Sequence, residues 1–216
     1  MDSGKPRCAI VCGRNPRLAN HAIDGQHNTM SDHFIFGYGS LVNRHTHSYA
    51  QSHPARLKGW RRVWRHTTLR DVAFLNVVED ASCEIDGLIL EVPRHAPELD
   101  QREYAYTRTH VTPSVTHGVE QAVEINLFAI SAGTEGPPQP EHAILMSYLD
   151  TVVSGYFAEF GEAGVRDFFD TTAGWDAPVL NDRAAPRYPR HSLAGPEIMW
   201  MVDAALRGLP SVVIEA

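Results

Sequence analysis

A short apolar run that halts at two glycines limits this chain more than any other stretch: His33-Phe34-Ile35-Phe36-Gly37-Tyr38-Gly39-Ser40-Leu41. Phe34, Ile35 and Phe36 favour a pleated, half-buried strand. The glycines end it and allow the main chain a close approach to another group. Positive φ at these glycines would turn backbone N–H groups towards one point, an arrangement that holds a carboxylate or a developing oxyanion. A plain strand-to-helix turn is the competing reading of the same residues. Better-known glycine motifs are excluded residue by residue. A dinucleotide fingerprint starting at Gly37 requires glycine or alanine at position 42, which is Val42, and the Gly-Lys-Ser/Thr of a P-loop is absent. A nucleophile elbow requires glycines two residues before and after the serine; Ser40 has Tyr38 and Val42 there and is not the nucleophile.

The chain has 216 residues, of which 43% are hydrophobic and 21% charged, which suits one globular domain with a sizeable core. A net charge of -7 and a pI near 5.9 provide no basic footprint, so no nucleic-acid partner is expected. Arg61, Arg62 and Arg65 cluster around Trp60 and Trp64 and read first as an exposed strand face, second as an anion-binding face. Cys8, Cys12 and Cys83 are an odd number with no CxxC pair, which fits a reducing compartment rather than a disulfide framework. The apolar piece at 8–12 is too short for the core of a signal peptide and no run reaches membrane-spanning length, so the expectation is a cytoplasmic protein without a membrane partner. His45 and His47 stand close together, but neither HExxH nor a Cys/His ligand cluster accompanies them, and no metal site is expected.

Taken in order, residues 1–31 show no sustained period and read as a loose N-terminal extension. Strands are expected over 33–37, 55–64, 72–78, 84–92, 107–111 and 121–130, with residues 79–83 as a hairpin connection, and residues 41–49 as a short helical turn. A short helix is expected over 95–106, placing Leu99 and Glu103 on one face. These elements make residues 32–130 an α+β core built on a closed or nearly closed sheet of about six strands. A glycine- and proline-rich break over 131–140 precedes a C-terminal helical region, 131–216, expected to pack on the core. Within it, Ile144, Leu145, Tyr148, Leu149, Val152, Val153, Tyr156 and Phe157 recur at helical spacing, predicting a helix to about Phe160. Phe168 and Phe169 close a second helical piece, residues 171–191 are irregular, and a last helix runs from about Pro196 to Arg207 with Gly208 as its cap.

Two motifs carry a family resemblance. Phe36-Gly37-Tyr38-Gly39-Ser40-Leu41, then Arg61-Arg62-Val63-Trp64, the strand pair around Gly87, and Leu99-Asp100-Gln101-Arg102-Glu103-Tyr104-Ala105-Tyr106 together resemble the γ-glutamylcyclotransferase-like superfamily over roughly residues 34–130. The resemblance implies a small six-stranded β-barrel with flanking helices. It implies that the loop Gly37, Tyr38, Gly39, Ser40 and Leu41 holds a γ-glutamyl group, that Glu103 is the general acid/base, and that Tyr106 orients substrate. It also implies a reaction without metal or cofactor. The C-terminal helices, outside the matched motifs, either cover the barrel mouth or form the surface of a homodimer.

The implied chemistry is self-consistent. In a γ-glutamyl amide the substrate's own α-amine attacks its γ-carbonyl, giving 5-oxoproline and a released amine, so no protein nucleophile is required. One carboxyl group can take the ammonium proton and return it to the leaving amine. Partial burial of Glu103 would raise its pKa towards neutrality. Alternatives stay open at this point: a non-catalytic module binding small carboxylates or amides on the same fold, or a structural domain whose aromatic residues are simply core. Glu103 could pair with Arg102 or Arg108 at the surface, and Tyr106 could be a core tyrosine. Asn181, Arg183 and Tyr188, in a proline-rich loop, are further candidates for a lid or a specificity surface.

Overall fold

A computed structural model describes residues 32–49, 51–66, 71–93, 107–130 and 142–216. The apolar run forms β1 (Asp32–Gly37). Five further strands follow: β2 (Ser52–Arg65), β3 (Phe74–Glu91), β4 (Thr107–His110), β5 (Val115–His117) and β6 (Val123–Ala129). Then come β7 (Ile144–Leu145), helix α1 (Met146–Asp170), β8 (Thr172–Ala173), β9 (Val179–Asn181), helix α2 (Pro196–Leu206) and β10 (Val213–Glu215). The class is α+β, with a mixed seven-stranded sheet in the order β4-β6-β1-β3-β2-β5 and β8 joined to β2. A second, three-stranded sheet runs β10-β9-β7.

β1 lies centrally, parallel to β6 on one side and antiparallel to β3 on the other. Covered on both faces, it buries consecutive side chains, Phe34, Ile35 and Phe36, instead of alternating.

The strands expected over 72–78 and 84–92 are one strand, β3, and the chain does not reverse at 79–83. β2 pairs with β3 from Ser52 opposite Leu90 to Arg65 opposite Phe74, with a register shift between Lys58 and Trp60. At the shift Gly59 takes φ 85, a conformation that other residues rarely adopt. Opposite it, the Asp80 carboxylate accepts from the Ser82 amide at 3.0 Å and hydroxyl at 2.6 Å, and from Arg61 at 2.6 Å. Such local side-chain-to-backbone bonding is turn chemistry, which is why a bulge looks like a hairpin in the sequence.

Nor is the sheet a closed barrel among the described residues. Its end strands, β4 and β5, do not pair with each other. They are 4 and 3 residues long and contain no buried residue, as suits short edge strands. The outer edge of β2 is shared between β5, along residues 55–57, and β8, along residues 62–63.

The two expected helical pieces before residue 170 are the halves of α1, which meet at a non-helical Gly161 with φ 65 and ψ -164. Its apolar stripe, including Leu149, Val152, Val153, Tyr156 and Phe168, is buried, each such side chain contributing roughly 1.5–3 kcal/mol. α2 begins at Pro196, as expected, but Gly208 is not among the positive-φ glycines; its N–H reaches the Ala205 carbonyl at 3.0 Å. Residues 171–191 hold β8 and β9, strands of 2 and 3 residues, too short to carry a period. Among the described residues no helix is long and apolar enough to cross a membrane. The helix expected over 95–106, the break over 131–140 and the extension over 1–31 lie outside the described residues.

Candidate active site

Beyond β1 the chain turns through a short 3-10 segment, Ser40–Val42, and a second, Arg44–Thr46. The expected positive φ is not adopted: Gly39 has φ -123 and ψ -128, and Gly37 is likewise outside the left-handed region. The glycines are required for close approach instead. A Cβ on Gly37 would lie 2.6 Å from Leu41 Cβ, and one on Gly39 would lie 2.6 Å from the Tyr148 hydroxyl. On β3, a Cβ on Gly87 would run into the Gly37 carbonyl oxygen.

The turn is held from beneath by a buried cation. Arg62, expected on an exposed strand face, has 0% relative exposure, because its side of β2 is roofed by α1. Its Nε donates to the Tyr38 carbonyl at 3.2 Å, and its Nη atoms donate to the Thr171 hydroxyl, the Asp86 carbonyl and the Tyr156 hydroxyl at 2.5, 2.5 and 2.7 Å. The guanidinium also lies 4.9 Å from the centre of the Tyr156 ring and 5.2 Å from that of Phe168. Neutral oxygens and π faces thus solvate the buried charge directly. The Asp86 carboxylate binds Arg56 instead, at 2.8 Å.

Tyr156 Oη lies 2.9 Å from the Tyr38 carbonyl and 2.8 Å from that of Asp86, and donates to one at a time. Burial pushes its pKa up to about 12, so the hydroxyl stays protonated as a donor. From above, the Tyr38 hydroxyl donates to the Phe128 carbonyl at 2.8 Å. Asn43 closes the turn: its Oδ1 accepts from the His45 amide at 3.0 Å, and its Nδ2 donates to the Thr151 carbonyl at 2.8 Å and the Ser192 hydroxyl at 3.0 Å.

Gly155 is where α1 meets this turn. A Cβ there would stand 2.5 Å from the Asn43 nitrogen and 2.7 Å from its Cα, both backbone. Gly155→Ala therefore sets a helix-propensity gain of about 1 kcal/mol against an overpacking cost of about 1–3 kcal/mol or more with no flexible side chain to yield. The cost is expected to win. Calorimetric unfolding should show a lowered Tm, and a Tm equal to or above wild type would contradict the close approach.

Residues 36–41 line a cavity of about 830 Å³ including its open mouth. Residues 72–75 and Phe128 form further wall, and the C-terminal part of the chain supplies Leu145, Tyr148, Tyr188 and Arg190. Tyr148 meets Tyr188 edge-on with ring centres 4.9 Å apart, and meets Trp64 in the same manner at 5.9 Å.

Tyr188 is set by a buried carboxylate. Asp182 has 0% relative exposure and accepts from the Ser147 amide at 2.7 Å, the Ser147 hydroxyl at 2.6 Å and the Arg187 amide at 2.8 Å. It thereby caps the start of α1 from a distant loop, where the N-cap residue Leu145 has no suitable side chain. Ser147 Oγ in turn accepts from the Tyr188 amide at 3.2 Å.

Of the residues singled out from sequence, Gly37, Tyr38, Gly39, Ser40 and Leu41 come together on the cavity wall, and Tyr188 joins them. Glu103 and Tyr106 lie outside the described residues. Asn181 and Arg183 do not line the cavity: Asn181 bonds the Glu215 carboxylate at 3.1 Å, and Arg183 pairs with Asp150 and Asp203, each at 2.7 Å. Tyr148 and Arg190 were not singled out. Tyr148 is indistinguishable from its apolar neighbours in the helical stripe, and no local signal marks Arg190. Among the described residues no group of three or more His, Cys, Asp or Glu side chains is placed to hold a metal ion.

Residues 33–130 match the family described as ChaC-like protein. The match covers somewhat less than half of the 216 residues. No curated protein matches the sequence. Among solved structures, the chain is similar to YkqA from Bacillus subtilis at 16% identity and a TM-score of 0.49, over 85% of this chain and 57% of that one. It thus spans little more than half the length of YkqA. It is similar to a γ-glutamyl cyclotransferase at 13% identity and a TM-score of 0.47, covering 81% of this chain and 99% of the other. A γ-glutamyl cyclotransferase specific to glutathione from yeast is similar at 13% identity and a TM-score of 0.42, covering 82% and 96%.

Proposed function

We propose that this chain cyclises a γ-glutamyl amide to 5-oxoproline and releases an amine. The substrate would be a γ-glutamyl amino acid, a γ-glutamylamine or glutathione. The observation that carries this reading is the Gly37–Leu41 turn, clamped by Arg62 and Tyr156 and lining an open cavity walled by Tyr148 and Tyr188. In this reading the turn and the surrounding tyrosines hold the γ-glutamyl group, with Tyr106 orienting it.

Glu103, as the carboxylate, takes a proton from the substrate's α-ammonium. The freed amine forms a bond to the γ-carbonyl carbon, and the carbonyl electron pair moves onto oxygen. Backbone donors of the turn meet that oxyanion, which amplifies their worth in a site shielded from water. When the carbonyl re-forms, the bond to the original amide nitrogen breaks and Glu103 returns the proton to the leaving amine, while the new ring nitrogen gives up its second proton to the medium and becomes the neutral lactam N–H. Holding amine and carbonyl in contact supplies much of the remaining acceleration. The nucleophile comes from the substrate and no electrons change hands, so the chemistry calls for neither metal nor cofactor. We place the reaction in the cytoplasm.

The test is release of 5-oxoproline from a panel of γ-glutamyl amino acids, γ-glutamylamines and glutathione, with thermal shifts recorded for each compound. Turnover of at least one member is the expected result. Stabilisation without turnover would instead assign a binding module, and no response to any member would end the proposal.

A further inference from the structure

The cavity has a charged rim on one side. Among the described residues that line it, Arg190 is the one with a formal charge, and it is exposed, whereas Tyr38, Ser40 and Tyr188 on the same wall are buried. The side chain is directed by its neighbour: Arg190 Nε donates to the Tyr188 hydroxyl at 3.3 Å, and the guanidinium carbon sits 5.4 Å from the Tyr188 ring centre. Tyr188 is itself fixed by the Ser147 hydroxyl at 3.2 Å and by Tyr148, whose own hydroxyl abuts Gly39. A continuous line of contacts therefore runs from the Gly39 turn through Tyr148 and Tyr188 to Arg190. With Nε engaged, the Nη atoms have no acidic partner among the described residues. A planar two-nitrogen fork in that state matches a carboxylate.

We infer that Arg190 binds the carboxylate of the leaving group, making γ-glutamyl amino acids and peptides the preferred substrates over γ-glutamylamines that lack a carboxylate. The inference rests on the cyclisation reading above. There the γ-glutamyl half occupies the buried turn, which leaves the departing half at the rim, within the field of the guanidinium. A carboxylate there gains a charge-assisted bond that an ethyl group cannot make.

The experiment compares γ-glutamylalanine with γ-glutamylethylamine in wild type, Arg190→Gln and Arg190→Lys. For γ-glutamylalanine, Arg190→Gln is expected to raise KM by about tenfold with a smaller change in kcat, and Arg190→Lys to fall between. For γ-glutamylethylamine the shift in KM should stay below about twofold, since no charge-assisted bond is lost. Equal losses for both compounds would place Arg190 on the α-carboxylate that both share, and overturn the inference while leaving cyclisation standing. No loss for either would overturn it too. If wild type processes neither compound, calorimetric binding of the same two compounds decides the arginine separately from the cyclisation reading. Tighter binding of γ-glutamylalanine that Arg190→Gln abolishes supports the site, and equal binding ends it. Because Arg190 is exposed, its replacement leaves the core intact, and unchanged Tm values provide the control.

Discussion

Glu103→Gln is expected to lower 5-oxoproline release by about 10²–10⁴-fold, the range that a positioned acid/base contributes. Glutamine preserves size and hydrogen-bonding capacity but can neither take the ammonium proton nor return it to the leaving amine. Both proton transfers fail together, so the loss should fall on kcat. Binding of a γ-glutamyl compound and Tm should change little, since one neutral group replaces one carboxylate of the same shape. Steady-state kinetics with calorimetric binding on the same preparations check this. Unchanged turnover would remove Glu103 from the mechanism, and a loss that merely tracks a falling Tm would make it a structural residue.

The largest stability effect is expected at Arg183→Ala. Arg183 grips Asp150 with two bonds, Nε to Oδ2 at 2.7 Å and Nη2 to Oδ1 at 2.8 Å, and reaches Asp203 at 2.7 Å, tying α1 to α2. Asp150 is 4% exposed, and burial raises its pKa above the ordinary aspartate range even though Arg183 draws it down. Removing the cation leaves an uncompensated buried charge, which costs about 3–5 kcal/mol. The sign of the pH dependence follows. A carboxyl whose folded pKa lies above its unfolded value binds a proton more tightly when folded, so it favours folding at low pH and loses that contribution as pH rises through the folded pKa. Without Arg183 that pKa rises further. Urea unfolding at pH 7 should therefore show a large deficit that shrinks as pH is lowered towards the folded pKa. Asp150→Asn in the same background should recover part of the loss at pH 7. A deficit of the same size at every pH would show that lost packing, not the stranded charge, governs the effect.

Arg62 looks exposed in the sequence for a physical reason. Its neighbours Arg61 and Arg65 are only partly buried, and a run with three arginines near two tryptophans looks amphipathic. Nothing within ten residues announces the oxygens that solvate Arg62. Tyr156 is 94 residues away and Thr171 is 109. Asp182 was likewise invisible as a helix cap, standing 35 residues from Ser147, outside any local capping pattern. At 79–83, by contrast, the local signal was present but ambiguous: the Asp80–Ser82 bonding serves a bulge as readily as a hairpin, and only pairing with β2 distinguishes them.

What the amino-acid order determined by itself is local: the position of β1 from its continuous apolar run, that of β2 from partial alternation, the first part of α1 from apolar residues three and four apart, the start of α2 at Pro196, and the tight turn at Gly37 to Ser40. The motifs also carried a family resemblance over roughly residues 34–130, close to the segment that matches ChaC-like protein. Only the tertiary structure decided that the glycines serve close approach rather than positive φ, that a buried arginine underpins the turn, and that Tyr148, Tyr188 and Arg190 form the far wall. Those facts depend largely on contacts between segments distant in the sequence, such as Arg62 with Tyr156 at a separation of 94 and Tyr156 with Tyr38 at 118, and packing over such spans leaves no periodic trace in the chain.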